Sequence, residues 1–264
     1  MISVAALAYR SRDNLARNMG TASDTPRSLL SSSRRRSPLS DDASYLLPIL
    51  LFLALTWVGG QWPSLYPISY VAKAILCTVA LIACWPAYTR IRWNGWWLGV
   101  ALGAVGIVQW IGVQLLLQRA FAGMSPGYRF FQPPPIAEQF NPFDAIQPSV
   151  AAMAFVAVRI ASATLLVPVI EELFWRDYLW RRLISPNNFK LARVGEWDRL
   201  AFFAIPIAFA TVHGHWWLTA ILWAFLIGGL LRYTQSLGAC IAMHATSNLL
   251  LAGYVLYTGD YSFW

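Results

Sequence analysis

Long apolar runs separated by short, arginine-bearing polar stretches repeat along most of this chain. They cover roughly residues 45–62, 67–88, 96–117, 150–175, 200–212, 216–231 and 237–257. Most approach the ~20 residues a helix needs to cross a bilayer. The runs are continuous and do not alternate, so they predict helices and not the strands of a membrane barrel. The expected fold class is all-α, a polytopic transmembrane bundle of about seven spans. Trp57, Trp62, Trp85, Trp96 and Trp97 fall near span ends, where aromatic rings sit at the headgroup level. Gly95, Gly99, Gly103 and Gly106 stripe the third span, a pattern that predicts close helix packing.

Composition agrees with the pattern. The chain is 58% hydrophobic and 12% charged, with a mean hydropathy of +0.50. A soluble domain carries about 25% charged residues. The net charge of +8 does not form one basic face. It flanks the apolar runs, which excludes a nucleic-acid partner and reads as a topology signal. If seven spans alternate, the N-terminal segment, the turn with Arg90 and Arg92, the segment 181–199 and Arg232 share one side. That side is expected to be cytoplasmic, with the C-terminus outside. Cys77, Cys84 and Cys240 lie inside apolar runs and are expected to be small buried hydrophobes.

Three parts are expected. Residues 1–44, rich in Ser and Arg, show no hydrophobic period and read as a disordered basic cytoplasmic tail without a secretory signal. Residues 45–148 hold the first three spans and a Pro-rich loop over 118–148, where Glu138 and Asp144 read as solvated charges. Residues 149–264 hold the remaining spans and the candidate chemistry.

That chemistry centres on Glu171, Glu172 and Arg176 inside the fourth span. Ionised groups at membrane depth are costly and are usually functional or paired. Glu171 lies ten residues before Arg181, ~15 Å in from the basic side at helical rise. His244 lies eight residues beyond Ser236, ~12 Å in. His213 lies fourteen residues beyond Arg199, at most ~21 Å in. Three spans therefore bring polar groups to a similar level. Glu172 and Arg176 are spaced i,i+4 and are expected to pair, while Glu171 projects about 100° away and is free to face a cavity. His244 and Asn248 share the same spacing and point at one place, as do Phe209 and His213. A hydrolytic site follows from this set. Glu171 would take a proton from water, His213 would position that water, and His244 with Asn248 would donate to a developing oxyanion. Against it stand a structural reading, in which polar groups bind helices together, and a proton relay or solute transporter, for which no inverted repeat is evident. His215, beside Trp216 and Trp217, reads as interfacial.

The motifs Glu171-Glu172-x3-Arg176, Phe209-x3-His213 and His244-x3-Asn248, in this order and on separate spans, resemble the CAAX protease and bacteriocin-processing family. That group of intramembrane proteases includes the eukaryotic Ras-converting endopeptidase. The resemblance covers about residues 150–264. It implies a glutamate-dependent, metal-independent endopeptidase with Glu171 as water-activating base assisted by His213, an oxyanion pair in His244 and Asn248, and support from Glu172 and Arg176. No cofactor is expected. Zinc on Glu171, His213 and His244 is chemically allowable, but the helical His-Glu-x-x-His signature is absent. The run 167–176 and the tail 244–264 look like the bacterial branch found with exosortase (PEP-CTERM) sorting systems. This implies the bacterial inner membrane as location, a membrane-associated peptide or protein as substrate, and exosortase-system proteins as partners. The alternative from another class is a non-catalytic scaffold or immunity-type binding protein of the same fold.

Overall fold

The structure is a computed structural model and describes residues 39–121 and 139–264. The described residues form helices and no strand. They are α1 (Asp41–Gln61), α2 (Pro63–Ala87), α3 (Trp96–Ala120), the single turn α4 (Pro142–Ala145), α5 (Ser149–Ile184), α6 (Arg199–Thr211), α7 (Trp217–Thr234) and α8 (Leu237–Thr258). Six of them are long and apolar enough to cross a membrane, and the chain is an integral membrane protein.

One boundary differs from the expected ones, at the start of α1. The fifth span is as short as its expected bounds of 200–212 imply, a helix of 13 residues, ~20 Å long, below the ~20 residues of a full crossing. It ends where His213 and the turn Gly214–Trp216 lead into α7. At the other end of the chain, α1 starts at Asp41, inside the segment expected to be disordered. Ser40 caps it by accepting from the Ala43 amide, and Ser44 is fully buried. The rest of the expected tail and Glu138 lie outside the described residues.

Among the described residues, the α2–α3 turn, the α5–α6 segment and the α7–α8 turn gather at one end of the bundle with the start of α1. There the start of α1 meets the α5–α6 segment through Asp41–Lys190 and Asp42–Arg182 ion pairs. The α2–α3 turn meets the start of α8, where the Arg92 carbonyl accepts from Ser236 Oγ and the Gly238 amide. Arg181 stands at this end, as expected, and is buried and paired with Asp177, one turn earlier. Asp177 also accepts from the Tyr45 hydroxyl at 2.6 Å.

The glycine stripe does what its spacing predicts. α3 and α8 pack along it so closely that a Cβ on Gly99 would sit 2.2 Å from the Ala239 carbonyl oxygen, and one on Gly103 2.6 Å from that of Met243. Gly103→Val is therefore expected to push α8 away from α3 and to destabilise the protein by about 1–3 kcal/mol, the usual cost of overpacking. Gly112, with open space around it, should accept Ala without loss. Thermal unfolding of both variants in detergent decides this, and equal midpoints would reject the packing account.

Large side chains such as Ile68, Val79, Ile82, Val108 and Leu165 stand exposed on the outside, as lipid-facing positions do. Inside lie two apolar clusters. One is built around Trp175, Phe209, Trp223 and Met243, the other around Tyr45, Cys77, Ile170 and Tyr178. The three cysteines are free and buried.

Candidate active site

α5 is not a regular helix. Two wider π-type segments, Ser162–Leu166 and Leu173–Leu179, flank the turn Val167–Glu172. Such segments often mark functional positions. Pro168 gives the first a physical cause. The Val167 amide bonds to the Ser162 carbonyl, five residues back. The next donor in that spacing would be residue 168, a proline without an N–H, so the Ala163 carbonyl loses its partner within the helix. Asn248 of α8 supplies one, with Nδ2 donating to Ala163 O at 2.7 Å. The same contact holds Asn248 against the site.

All four expected catalytic side chains line one cavity of about 230 Å³: Glu171 from α5, His213 at the end of α6, and His244 with Asn248 from α8. Glu171 is 8% exposed, and its Oε2 is buried with no hydrogen-bond partner among the described residues. The Glu171 side chain forms part of the cavity wall.

Glu172 takes a different place. It is fully buried behind the cavity, and its Oε1 accepts from both Arg176 Nη1 at 3.0 Å and His244 Nδ1 at 2.8 Å. The i,i+4 ion pair is as expected. The bond to His244 joins residues 72 positions apart and has no local signature. The Arg176 guanidinium lies 4.8 Å from the centre of the Phe209 ring and 5.8 Å from that of Trp223, which adds cation–π attraction to the pairing.

These contacts set where the protons are. A carbonyl only accepts, so His213 Nδ1, 2.7 Å from Phe209 O, carries its hydrogen, and Nε2 of the neutral ring is an acceptor. The Phe-x3-His spacing explains both this bond and the stacking of the two rings at 4.1 Å. His244 Nδ1 donates to the Glu172 carboxylate. Its Nε2 is then an acceptor when the ring is neutral and a donor when it is imidazolium. Trp223 packs edge-on to His244 at 4.9 Å and donates to Ser247 Oγ, which donates to the Gly103 carbonyl. α3, α7 and α8 are thereby joined beneath the site. His215 does not line the cavity and stands beside Trp216.

Several residues of the site escaped the sequence reading. Trp110, Trp216 and Phe263 line the cavity, yet apolar aromatics carry no signal that separates them from ordinary core. Arg159 and Lys73 did carry one, as charges within apolar runs. Arg159 lines an adjoining cavity of about 150 Å³ that shares Asn248, Leu251 and Phe263 with the first. Its guanidinium donates to the Tyr66 hydroxyl and lies over the rings of Tyr70 and Trp264. Lys73 is buried, donates to Thr56 Oγ1 at 3.0 Å and faces the Phe52 and Tyr70 rings. Among the described residues no three His, Cys, Asp or Glu side chains converge as a metal-ligand set.

Compared with known protein families, residues 153–250 match the family described as type II CAAX prenyl endopeptidase Rce1-like. No curated protein and no solved structure matches the chain.

Proposed function

Since residues 153–250 match the Rce1-like type II CAAX prenyl endopeptidase family, a family of membrane proteases, we propose that this chain hydrolyses a peptide bond of a membrane-associated protein by glutamate-activated water. One observation carries the proposal: Glu171, His213, His244 and Asn248, from three helices, line a single cavity.

In this mechanism the scissile carbonyl enters the cavity with a water between it and Glu171. The carboxylate removes a proton from the water as its oxygen attacks the carbonyl carbon. His213 Nε2 accepts the water's other hydrogen and so aims its lone pair. The carbonyl oxygen becomes an oxyanion facing His244 and Asn248. His244 acts here as imidazolium, its Nδ1–H held by Glu172, so that Nε2–H can donate. Asn248 keeps one amide hydrogen on Ala163 and offers the other. As the C–N bond breaks, Glu171 returns the proton to the leaving amine. The aromatic lining of the cavity suits an apolar segment of substrate, and the adjoining Arg159 cavity extends the room beside the reacting bond. The proposed setting is a bacterial inner membrane, with sorted proteins of an exosortase system as substrates or partners. The likeness of the run 167–176 and of the tail supports that setting, and Phe263 of the tail lines the cavity.

Asn248→Ala is expected to slow cleavage by about 10²–10³-fold, as loss of one oxyanion donor does. Mass spectrometry of protein termini, comparing cells with wild type and with this variant at matched expression, tests the proposal. A specific cut that disappears identifies the substrate. An unchanged set of termini, with a phenotype that still depends on the protein's presence, would make it a non-catalytic scaffold.

A further inference from the structure

A second large cavity, of about 310 Å³, lies at the end of the bundle where the basic segments gather. Five cations line it: Arg90 and Arg92 from the α2–α3 turn, Arg181 from α5, and Lys190 and Arg193 from the α5–α6 segment. Three of them have carboxylate neighbours. Arg181 pairs with Asp177, Lys190 Nζ is 2.6 Å from Asp41, and Arg193 Nε is 3.9 Å from Glu196. None of those acids lines the cavity. Arg90 and Arg92 have no carboxylate partner among the described residues. The concave surface therefore presents an excess of positive charge with forked guanidinium donors, the arrangement that suits phosphate oxygens.

A topology signal requires only that basic residues flank the spans. It does not require residues from three separate stretches of chain to converge on one walled cavity. We propose that this cavity binds the phosphate headgroup of an anionic phospholipid. Two observations favour a lipid over a dissolved anion. Leu191, part of the wall, is 76% exposed, leaving an apolar path from the cavity for acyl chains. Trp93, Trp96 and Trp197 stand exposed at the same end, where aromatic rings mark the headgroup level. Basic pockets between transmembrane helices bind anionic headgroups in this way.

The test uses the purified full chain in nanodiscs of phosphatidylcholine with increasing phosphatidylglycerol, and native mass spectrometry of the lipids it retains. Wild type is expected to retain phosphatidylglycerol saturably and in preference to phosphatidylcholine. Arg90→Gln/Arg92→Gln should weaken that retention by about thirtyfold, from roughly a fivefold effect per lost charge near a membrane surface. Arg232→Gln, which removes an exposed charge at the same end outside the cavity, should not weaken it. Should the double variant fail to insert, Arg193→Gln supplies the same comparison with a smaller loss. Equal loss with Arg232→Gln, or no preference in wild type, overturns the proposal. Displacement of the lipid by inorganic phosphate at similar concentration would also overturn it, by assigning the cavity to a dissolved anion.

Discussion

Glu171→Gln is expected to lower peptide hydrolysis by about 10²–10⁴-fold, the usual contribution of a positioned base, with little change in thermal stability. The two halves of this expectation have separate causes. Glutamine keeps the size and shape of the side chain but cannot take a proton from water. The replaced oxygen has no hydrogen-bond partner among the described residues, so the amide breaks no contact that holds the fold. Initial rates on the substrate found by terminal analysis, together with the unfolding midpoint in detergent, give both numbers. A fully active Glu171→Gln protein would remove the glutamate mechanism. A variant that is inactive and also unfolded would show that Glu171 supports the bundle.

Arg176→Met is expected to do the reverse and act first on stability, by about 3–5 kcal/mol, because it leaves a buried carboxylate without its guanidinium, with His244 alone among the described residues donating to it. Arg176 is 1% exposed and Glu172 0%, so neither charge can turn to water. Methionine roughly fills the volume, which leaves the unpaired charge as the main cost. The double variant Glu172→Gln/Arg176→Met removes that charge and should recover much of the lost stability. It should not recover activity, since His244 then lacks the carboxylate that keeps its Nδ1–H in place. Unfolding midpoints and rates for wild type, both single variants and the double variant separate the two effects. If Arg176→Met unfolds at the wild-type temperature, the pair is not what holds α5 against α8.

The two experiments probe different layers of one site. Glu171 lines the cavity. Glu172, one residue of helical rotation away, faces inward and bonds to Arg176 and His244. Under the proposed mechanism the adjacent carboxylates divide the work of catalysis and support.

Much of this was legible in the chain. Burial of an unsatisfied backbone in lipid leaves helices as the one solution for continuous apolar runs, so the spans could be read directly. The i,i+4 spacings of Glu172 with Arg176 and of Phe209 with His213 are local geometry, and the structure shows both contacts. The glycine stripe foretold close packing on α3, because only a residue without a side chain admits another backbone so closely; the partner, α8, came from the structure. The short α6 was legible too, because the break around His213 and Gly214 separates two apolar runs. The burial of Arg181 was not read from the chain; its partner Asp177 lies one turn earlier in the same apolar segment and removes its need for water.

Sequence alone determined the all-helical membrane fold, the level of the polar groups along each span and which neighbours share a helix face, because each follows from rise and rotation along one helix. Only the tertiary structure decided the rest. It brought Glu172 against His244, gave Asn248 the carbonyl that Pro168 leaves unpaired, and closed Trp110, Trp216 and Phe263 around Glu171. Those contacts join helices distant in the chain. They depend on how apolar surfaces pack, and packing is blind to the identity of any single aromatic or aliphatic residue until the helices meet.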